Sequence, residues 1–173
     1  CRSNGQGRLE AIRHVSSLTL ADVCEVDAQK DKIVRNTQRF VSGQPANNML
    51  LTGARGTGKS SLIKACLNAY KDQGLRLIEV DKGDLVDLPD IIDLVADRPE
   101  RFIVFCDDLS FDEGESGYKA LKSILDGSVS ATSANVLIYA TSNRRHLLPE
   151  YMKDNVSYTH TDDGEVHPGE VIE

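Results

Sequence analysis

Residues 53–60 are Gly53-Ala54-Arg55-Gly56-Thr57-Gly58-Lys59-Ser60. This stretch matches the pattern GxxxxGK[ST] at every fixed position. The glycines let the backbone turn its N–H groups toward one point, where a phosphate can accept them, and a helix that begins at the lysine adds its positive N-terminal end. The sequence therefore predicts a phosphate-binding loop, or P-loop, in which Lys59 contacts the β- and γ-phosphates and Ser60 supplies an oxygen to Mg²⁺.

The ligands predicted for this loop are ATP or ADP together with Mg²⁺. A GTP-specific site is disfavoured, because the acidic strand end described below lacks the downstream Gly of DxxG and the chain contains no NKxD motif. The residues of the loop and of the following turn that we expect to contact the nucleotide are Gly53, Ala54, Arg55, Gly56, Thr57, Gly58, Lys59, Ser60 and Ser61.

Short apolar segments alternate with amphipathic segments along the chain. The predicted strands cover residues 49–52, 75–80, 102–106 and 136–140, and the predicted helices cover residues 29–41, 59–71, a segment after Asp87 that includes Pro89, and residues 118–125. Asp27 is the expected N-cap of the first helix. Strands that are apolar throughout and alternate with helices indicate a parallel sheet covered on both faces. The predicted fold class is α/β, with three layers.

Polar side chains follow two of the predicted strands at the point where each strand ends. Asp107 and Asp108 follow the third strand, and Asn143 follows the fourth, after Thr141 and Ser142. In P-loop enzymes an acid at such a strand end holds Mg²⁺. We expect Asp107 to hold Mg²⁺ through water and Asp108 to orient or deprotonate the attacking water.

Asn143 has two interpretations. Its amide can hold the attacking water or contact the γ-phosphate, but Ser-Asn also commonly begins a plain loop. The carboxyl ends of parallel strands meet at one edge, where ligands of such sheets bind. This common edge favours the first interpretation, so the catalytic candidates are Lys59, Asp108 and Asn143.

Composition limits the other functions that the chain can have. The 173 residues carry a net charge of -7, which argues against a broad nucleic-acid-binding surface. No apolar run is long enough for a membrane span, and four cysteines without CxxC spacing are typical of reduced thiols in a cytoplasmic protein. The four histidines show no zinc-ligand spacing. Because the chain begins with Cys1 rather than Met, we expect it to be part of a longer protein.

The order of the three motifs resembles that of AAA+ ATPases: Walker A at 53–60, Walker B at 102–108 and sensor 1 at Asn143. Residues 20–23 and 27–30 are similar to the AAA+ segment that lines the adenine pocket, which implies nucleotide contacts by Val23 and Val26. The stretches that most resemble one bacterial AAA+ family, which carries a domain-of-unknown-function label, are residues 45–48, the P-loop, 75–81, 106–110 and 140–149. The resemblance implies a sheet order of 5-1-4-3-2 and an oligomeric ring or helix.

Two positions depart from the AAA+ pattern. Glu25 replaces a usual Gly, and Asp108 stands where many members have Glu. The last strand, the arginine finger and the helical lid are expected beyond residue 173. Arg144 and Arg145 either act across a subunit boundary or form a solvated pair. The expected organisation is an N-terminal extension (1–16), an AAA+ core (17–155) and an acidic loop or tail (156–173).

The resulting hypothesis is an ATPase core that couples Mg-ATP hydrolysis to remodelling of a protein or nucleic-acid partner, with very slow hydrolysis by this chain alone. A small-molecule kinase is one alternative, although no arginine-rich lid is evident in the sequence. A non-hydrolysing, nucleotide-gated binding module is the other.

Overall fold

The computed structural model describes residues 2–3, 8–12, 16–23, 27–53, 56, 58–109, 116–125, 133–142 and 170–172. The strands are β1 (Arg2–Ser3), β2 (Leu9–Glu10), β3 (Met49–Thr52), β4 (Leu75–Glu79), β5 (Arg101–Cys106), β6 (Val136–Ser142) and β7 (Glu170–Ile172). The α-helices are α1 (Asp27–Val41), α2 (Lys59–Tyr70), α3 (Leu88–Val95) and α4 (Ser116–Leu125). Short 3-10 turns occupy Leu20–Asp22, Lys71–Gln73 and Lys82–Asp87.

The described strands form one sheet in the order β2-β1-β4-β5-β6-β3-β7. From β4 to β7 every pairing is parallel. If the five strands β3 to β7 are renumbered 1 to 5 along the chain, their order in the sheet, read from the β7 edge, is 5-1-4-3-2. This order confirms the topology implied by the resemblance. At the other edge, β1 pairs in parallel with β4 and antiparallel with β2.

The expectation that the fifth strand lies beyond residue 173 is wrong. Residues Glu170–Ile172 form β7, which pairs in parallel with Met49–Leu51 of β3. The strand is only three residues long and follows a polar, acidic segment, so it leaves no periodic signal in the sequence. The strand that carries the P-loop is therefore flanked on both sides, by β6 and β7.

Helices cover both faces of the sheet, as the apolar strands predict. Along β5, Phe102, Val104 and Cys106 belong to the core cluster that contains α3 and α4 residues, while Ile103 and Phe105 belong to the cluster that contains α1 and α2 residues. Successive side chains of a strand point to opposite faces. Both faces of β5 are consequently buried, and the three-layer α/β/α prediction is confirmed.

The ends of several elements differ from the predicted ones. The first helix begins at Asp27, so the prediction that Asp27 is its N-cap is wrong. The third helix does follow Asp87 as its N-cap with Pro89 in the first turn, although the Asp87 side chain makes no capping hydrogen bond. Strand β6 continues to Ser142, two residues beyond its predicted end at Ala140.

A buried polar cluster attaches α1 to the middle of β6. The Thr37 hydroxyl lies 2.7 Å from the Ile33 carbonyl oxygen and 2.8 Å from the Tyr139 hydroxyl. Asn36 donates from Nδ2 to the Tyr139 hydroxyl at 3.0 Å and to the carbonyl of Asn47 at 2.8 Å. These contacts fix α1 against the sheet just before β3 begins.

No helix among the described residues is both long and apolar enough to cross a lipid bilayer.

Candidate functional site

The P-loop connects the end of β3 to the beginning of α2, as the sequence predicts. Gly56 and Gly58 have φ angles of 83° and 82°, a region that side chains other than glycine rarely adopt. Gly58 is the N-cap of α2, and its carbonyl accepts the Leu62 N–H at 2.9 Å. The first N–H groups of a helix have no partner within the helix, so they can bind an anion placed before it. Ala54, Arg55 and Thr57 lie outside the described residues.

Lys59, the first residue of α2, folds its side chain back over the loop. Its side chain is largely buried, with the whole residue 6% exposed. The ammonium group donates from Nζ to the carbonyl oxygen of Gly53 at 3.0 Å. This contact places the positive charge on the loop itself, where the loop N–H groups and the charge can act on the same phosphate.

The candidate Mg²⁺ ligands, on α2 and after β5, come together at the end of β5. The Ser60 hydroxyl donates to Oδ1 of Asp107 at 2.5 Å. Hydroxyl and carboxylate oxygens are hard ligands of the kind that Mg²⁺ prefers, and Mg²⁺ sites commonly use few protein ligands together with water and phosphate oxygens. The pair therefore fits a Mg²⁺ that is shared with a nucleotide. Among the described residues, no group of three His, Cys, Asp or Glu side chains could hold a metal ion.

Asp108 has an unusual backbone conformation. Its φ angle is 53°, in the left-handed region that few residues other than glycine adopt, although Asp and Asn tolerate it best. Its N–H donates to the hydroxyl of Thr141 at 2.9 Å, and its side chain is exposed. The chain thus turns out of β5 at this residue and presents the carboxylate at the edge that carries the P-loop.

Thr141 is the residue of this site to which sequence reasoning gave no role. Cys106 pairs with Ala140 across β5 and β6, so the next residues along these strands, Asp107 and Thr141, lie side by side. The Thr141 hydroxyl donates to Oδ1 of Asp107 at 2.6 Å. The only sequence signal was the polar pair after the apolar part of β6. Asn143, the predicted sensor, lies outside the described residues.

Val23, one of the two predicted adenine contacts, lies beside Gly58 of the P-loop. It is 6% exposed, and a Cβ atom at Gly58 would lie 4.0 Å from its Cγ1. Val26, the other predicted adenine contact, and Glu25 lie outside the described residues.

Residues 16–23, which end at Val23, form a segment that we call the lead-in. Asn68 of α2 donates from Nδ2 to the carbonyl oxygens of Ser16 at 2.6 Å and Leu18 at 2.7 Å. Asp22 accepts the backbone N–H of Thr19 at 2.9 Å and its hydroxyl at 2.8 Å, and these bonds lower the pKa of Asp22. The second helix therefore determines where the lead-in runs.

The cysteines in the described part of the chain are packing residues. Cys66 and Cys106 are buried and unpaired, as predicted. Burial raises the pKa of each thiol to about 12, which keeps both in the neutral form.

The strand–loop–helix unit, the acidic end of β5 and the 5-1-4-3-2 sheet order define a P-loop protein of the AAA+ class. The chain belongs to the family described as "Protein of unknown function (DUF815)", whose profile matches residues 1–173.

Several known proteins are similar to parts of this chain in sequence or in fold. A nucleotide-binding protein of Koribacter versatilis (strain Ellin345) is 36% identical over 72 residues, which is 42% of this chain and 22% of that protein. The structure of PCH-2 from C. elegans aligns with a TM-score of 0.57 at 23% identity, over 78% of this chain and 43% of that one. AMPPCP-bound DnaA from Aquifex aeolicus aligns with a TM-score of 0.57 at 17% identity, over 92% of this chain and 51% of that one. The chain thus spans about a fifth of this curated relative and about half of these solved structures.

Proposed function

We propose that this chain is the Mg-ATP-binding and hydrolysing core of an AAA+ ATPase that remodels a partner molecule. The observation that carries the proposal is the hydrogen bond of 2.5 Å between Ser60 and Asp107, because it joins the P-loop helix to the acidic end of β5. A P-loop match by itself would support phosphate binding alone. A carboxylate held against its serine adds the second half of a Mg²⁺-nucleotide site.

The residues have separate proposed roles. Lys59 and the loop N–H groups hold the β- and γ-phosphates, and Ser60 and Asp107 hold Mg²⁺. The ion, when bound, neutralises charge that develops on the phosphate oxygens.

Asp108 orients the attacking water and accepts its proton as the water oxygen bonds to the γ-phosphorus and the bond to the ADP oxygen breaks. Asn143 holds the same water or the γ-phosphate, and Val23 and Val26 contact the base.

The choice of ATP is supported by two similar proteins. The Koribacter versatilis relative is named as nucleotide-binding, and the Aquifex aeolicus DnaA structure contains AMPPCP. The proposed setting is a cytoplasmic homo-oligomer, in which a neighbouring copy supplies the arginine that P-loop ATPases use to stabilise the transition state. Such an arginine raises turnover by about 10³–10⁵ where it has been measured, so slow hydrolysis by separate chains is part of the proposal.

The test is nucleotide binding by the chain and by two lysine variants. Lys59→Ala removes a charged donor to phosphate, worth roughly 1.5–3 kcal/mol, so we expect affinity for a fluorescent ATP analogue with Mg²⁺ to fall by about 10- to 100-fold. Lys64→Ala, further along the same helix, is the matched control and should bind as the unchanged chain does. Equal affinities of the three proteins, or no binding by the unchanged chain, would contradict the proposal.

A further inference from the structure

We propose that Thr141 is a positioning residue that fixes both carboxylates of the site through its single hydroxyl group. This role rests on the proposed function, since it concerns how Asp107 and Asp108 are presented to Mg-ATP. Thr141 does not itself touch the nucleotide in this proposal. Its effect passes through the two aspartates.

The hydroxyl of Thr141 makes two hydrogen bonds, one as donor and one as acceptor. It donates to Oδ1 of Asp107 at 2.6 Å and accepts the N–H of Asp108 at 2.9 Å. A hydroxyl has one proton to donate, so the first contact uses the proton and the second uses a lone pair. Thr141 is 2% exposed, and water therefore has little access with which to replace either bond. One side-chain atom consequently links the proposed Mg²⁺ ligand to the proposed base.

The main chain around Thr141 strengthens this link. The N–H of Leu109 donates to the Thr141 carbonyl at 2.8 Å, and the Ser142 hydroxyl donates to the Leu109 carbonyl at 2.8 Å. The end of β6 therefore holds three consecutive residues after β5. Within that segment Asp108 keeps its φ of 53°, a conformation that costs energy and persists only where the surrounding contacts impose it.

The orientation of the Asp107 carboxylate depends on two elements at once. Its Oδ1 accepts one hydrogen bond from Ser60 on α2 and one from Thr141 on β6. When the Ser60 hydroxyl turns to a metal ion, its bond to Asp107 is lost, but the bond from Thr141 to Asp107 remains. Thr141 is thus the contact that keeps the carboxylate aimed while Mg²⁺ binds. Partners that orient metal ligands in this way typically change metal affinity or activity by about 10- to 100-fold when removed.

The experiment compares Thr141→Val, which keeps the branched shape and loses the hydroxyl, with Thr141→Ser, which keeps the hydroxyl. Thr37→Val is the matched control, because Thr37 is also a buried threonine whose hydroxyl is hydrogen-bonded, but it lies between α1 and Tyr139. Each protein is titrated with a fluorescent ATP analogue in Mg²⁺ and in EDTA. Thermal unfolding without nucleotide is measured in parallel.

The Mg²⁺ gain is the ratio of the affinity for the ATP analogue in Mg²⁺ to the affinity in EDTA. We expect this gain to be about tenfold smaller in Thr141→Val than in the unchanged chain, while the affinity in EDTA stays the same. Thr141→Ser should retain the Mg²⁺ gain, and Thr37→Val should unfold at a lower temperature with the Mg²⁺ gain intact. If Thr141→Val does not fold, Thr141→Ala provides the same comparison with less side-chain bulk.

Two results would overturn the role. The first is an undiminished Mg²⁺ gain in a folded variant that lacks the Thr141 hydroxyl, and the second is an equal loss in Thr141→Ser. Either of these results would overturn the role of Thr141 alone. Failure of the unchanged chain to bind Mg-ATP would overturn the proposed function as well, so the two failures are distinguishable.

Discussion

The hydroxyl of Ser60 lies 2.5 Å from Oδ1 of Asp107, although 47 positions separate the two residues in the chain. Ser60 belongs to the first turn of α2, and Asp107 follows the last residue of β5. The parallel sheet brings the two together because β3 and β5 end at the same edge, with β6 between them. This contact separates the proposed role of Asp107 from that of its neighbour Asp108.

Asp107→Asn and Asp108→Asn should therefore give different defects. We expect Asp107→Asn to weaken Mg²⁺-dependent ATP binding by about 10- to 100-fold, because a neutral amide is a poor ligand for the ion. Asp108→Asn should bind Mg-ATP normally, since asparagine also tolerates a positive φ. Its hydrolysis should fall by about 10²–10⁴, the usual contribution of a general base. Titration with a fluorescent ATP analogue and phosphate release in a concentrated, assembled sample measure the two effects. The reverse pattern would exchange the assigned roles.

Asn68→Leu should loosen the lead-in. The variant removes the two hydrogen bonds that hold the carbonyls of Ser16 and Leu18 to α2. Each bond contributes about 0.5–1.5 kcal/mol, so we expect amide hydrogen exchange in residues 16–23 to become faster by about tenfold or more. ATP affinity should fall as well, because Val23 at the end of the lead-in packs beside Gly58. Leu67→Ala on the same helix is the comparison, and faster exchange confined to α2 would contradict the assignment.

Tyr139→Phe should destabilise the fold without affecting nucleotide binding. Because Thr37 uses its proton on the Ile33 carbonyl, the Tyr139 hydroxyl donates to Thr37 and accepts from Asn36. Removing a fully buried hydroxyl with these partners costs about 1–3 kcal/mol. Urea unfolding measures the loss. Tyr70→Phe, at the half-buried end of α2, should change stability by less than about 0.5 kcal/mol, and equal effects of the two variants would disprove the importance of the cluster.

Alkaline pH should weaken the fold through the buried thiols. Burial raises the pKa of Cys106 to about 12, whereas an exposed thiol has a pKa of about 8.5. Between these values the unfolded chain loses the proton and the folded chain keeps it, so stability falls as pH rises, by at most about 1.4 kcal/mol per pH unit for each thiol. Urea unfolding from pH 8 to 10.5 should show a shallower decline in Cys106→Ala. Parallel declines in the two proteins would show that this thiol does not contribute.

Local patterns predicted the parts of the site that are encoded by a few adjacent residues. The structure confirms that α2 begins at Lys59 and that β5 ends at Cys106, directly before Asp107. Thr141 could not be recognised in this way, because its contact with Asp107 depends on the register between β5 and β6. That register is a property of the assembled sheet.

The missed strands have a different explanation. Strands β1 and β2 contain two residues each and β7 contains three, which is too short for alternation of apolar and polar residues to be detected. Their place is determined by the edges already formed by β4 and β3. The proposed roles of Asn143 and Val26, the nucleotide contacts of the loop residues and the domain boundaries remain predictions.

The position of β3 between β6 and β7 also constrains the order in which the protein can be completed during synthesis. Residues 49–52 are synthesised before both of their neighbours, since the first neighbour is finished only at residue 142 and the second only at residue 172. Until then the backbone of Met49–Leu51 is an open edge on an apolar strand, the kind of edge to which other chains can add. The nascent protein thus carries its P-loop beside an unprotected edge until β7 has been made, and a strand exposed in this way during folding can add to other chains.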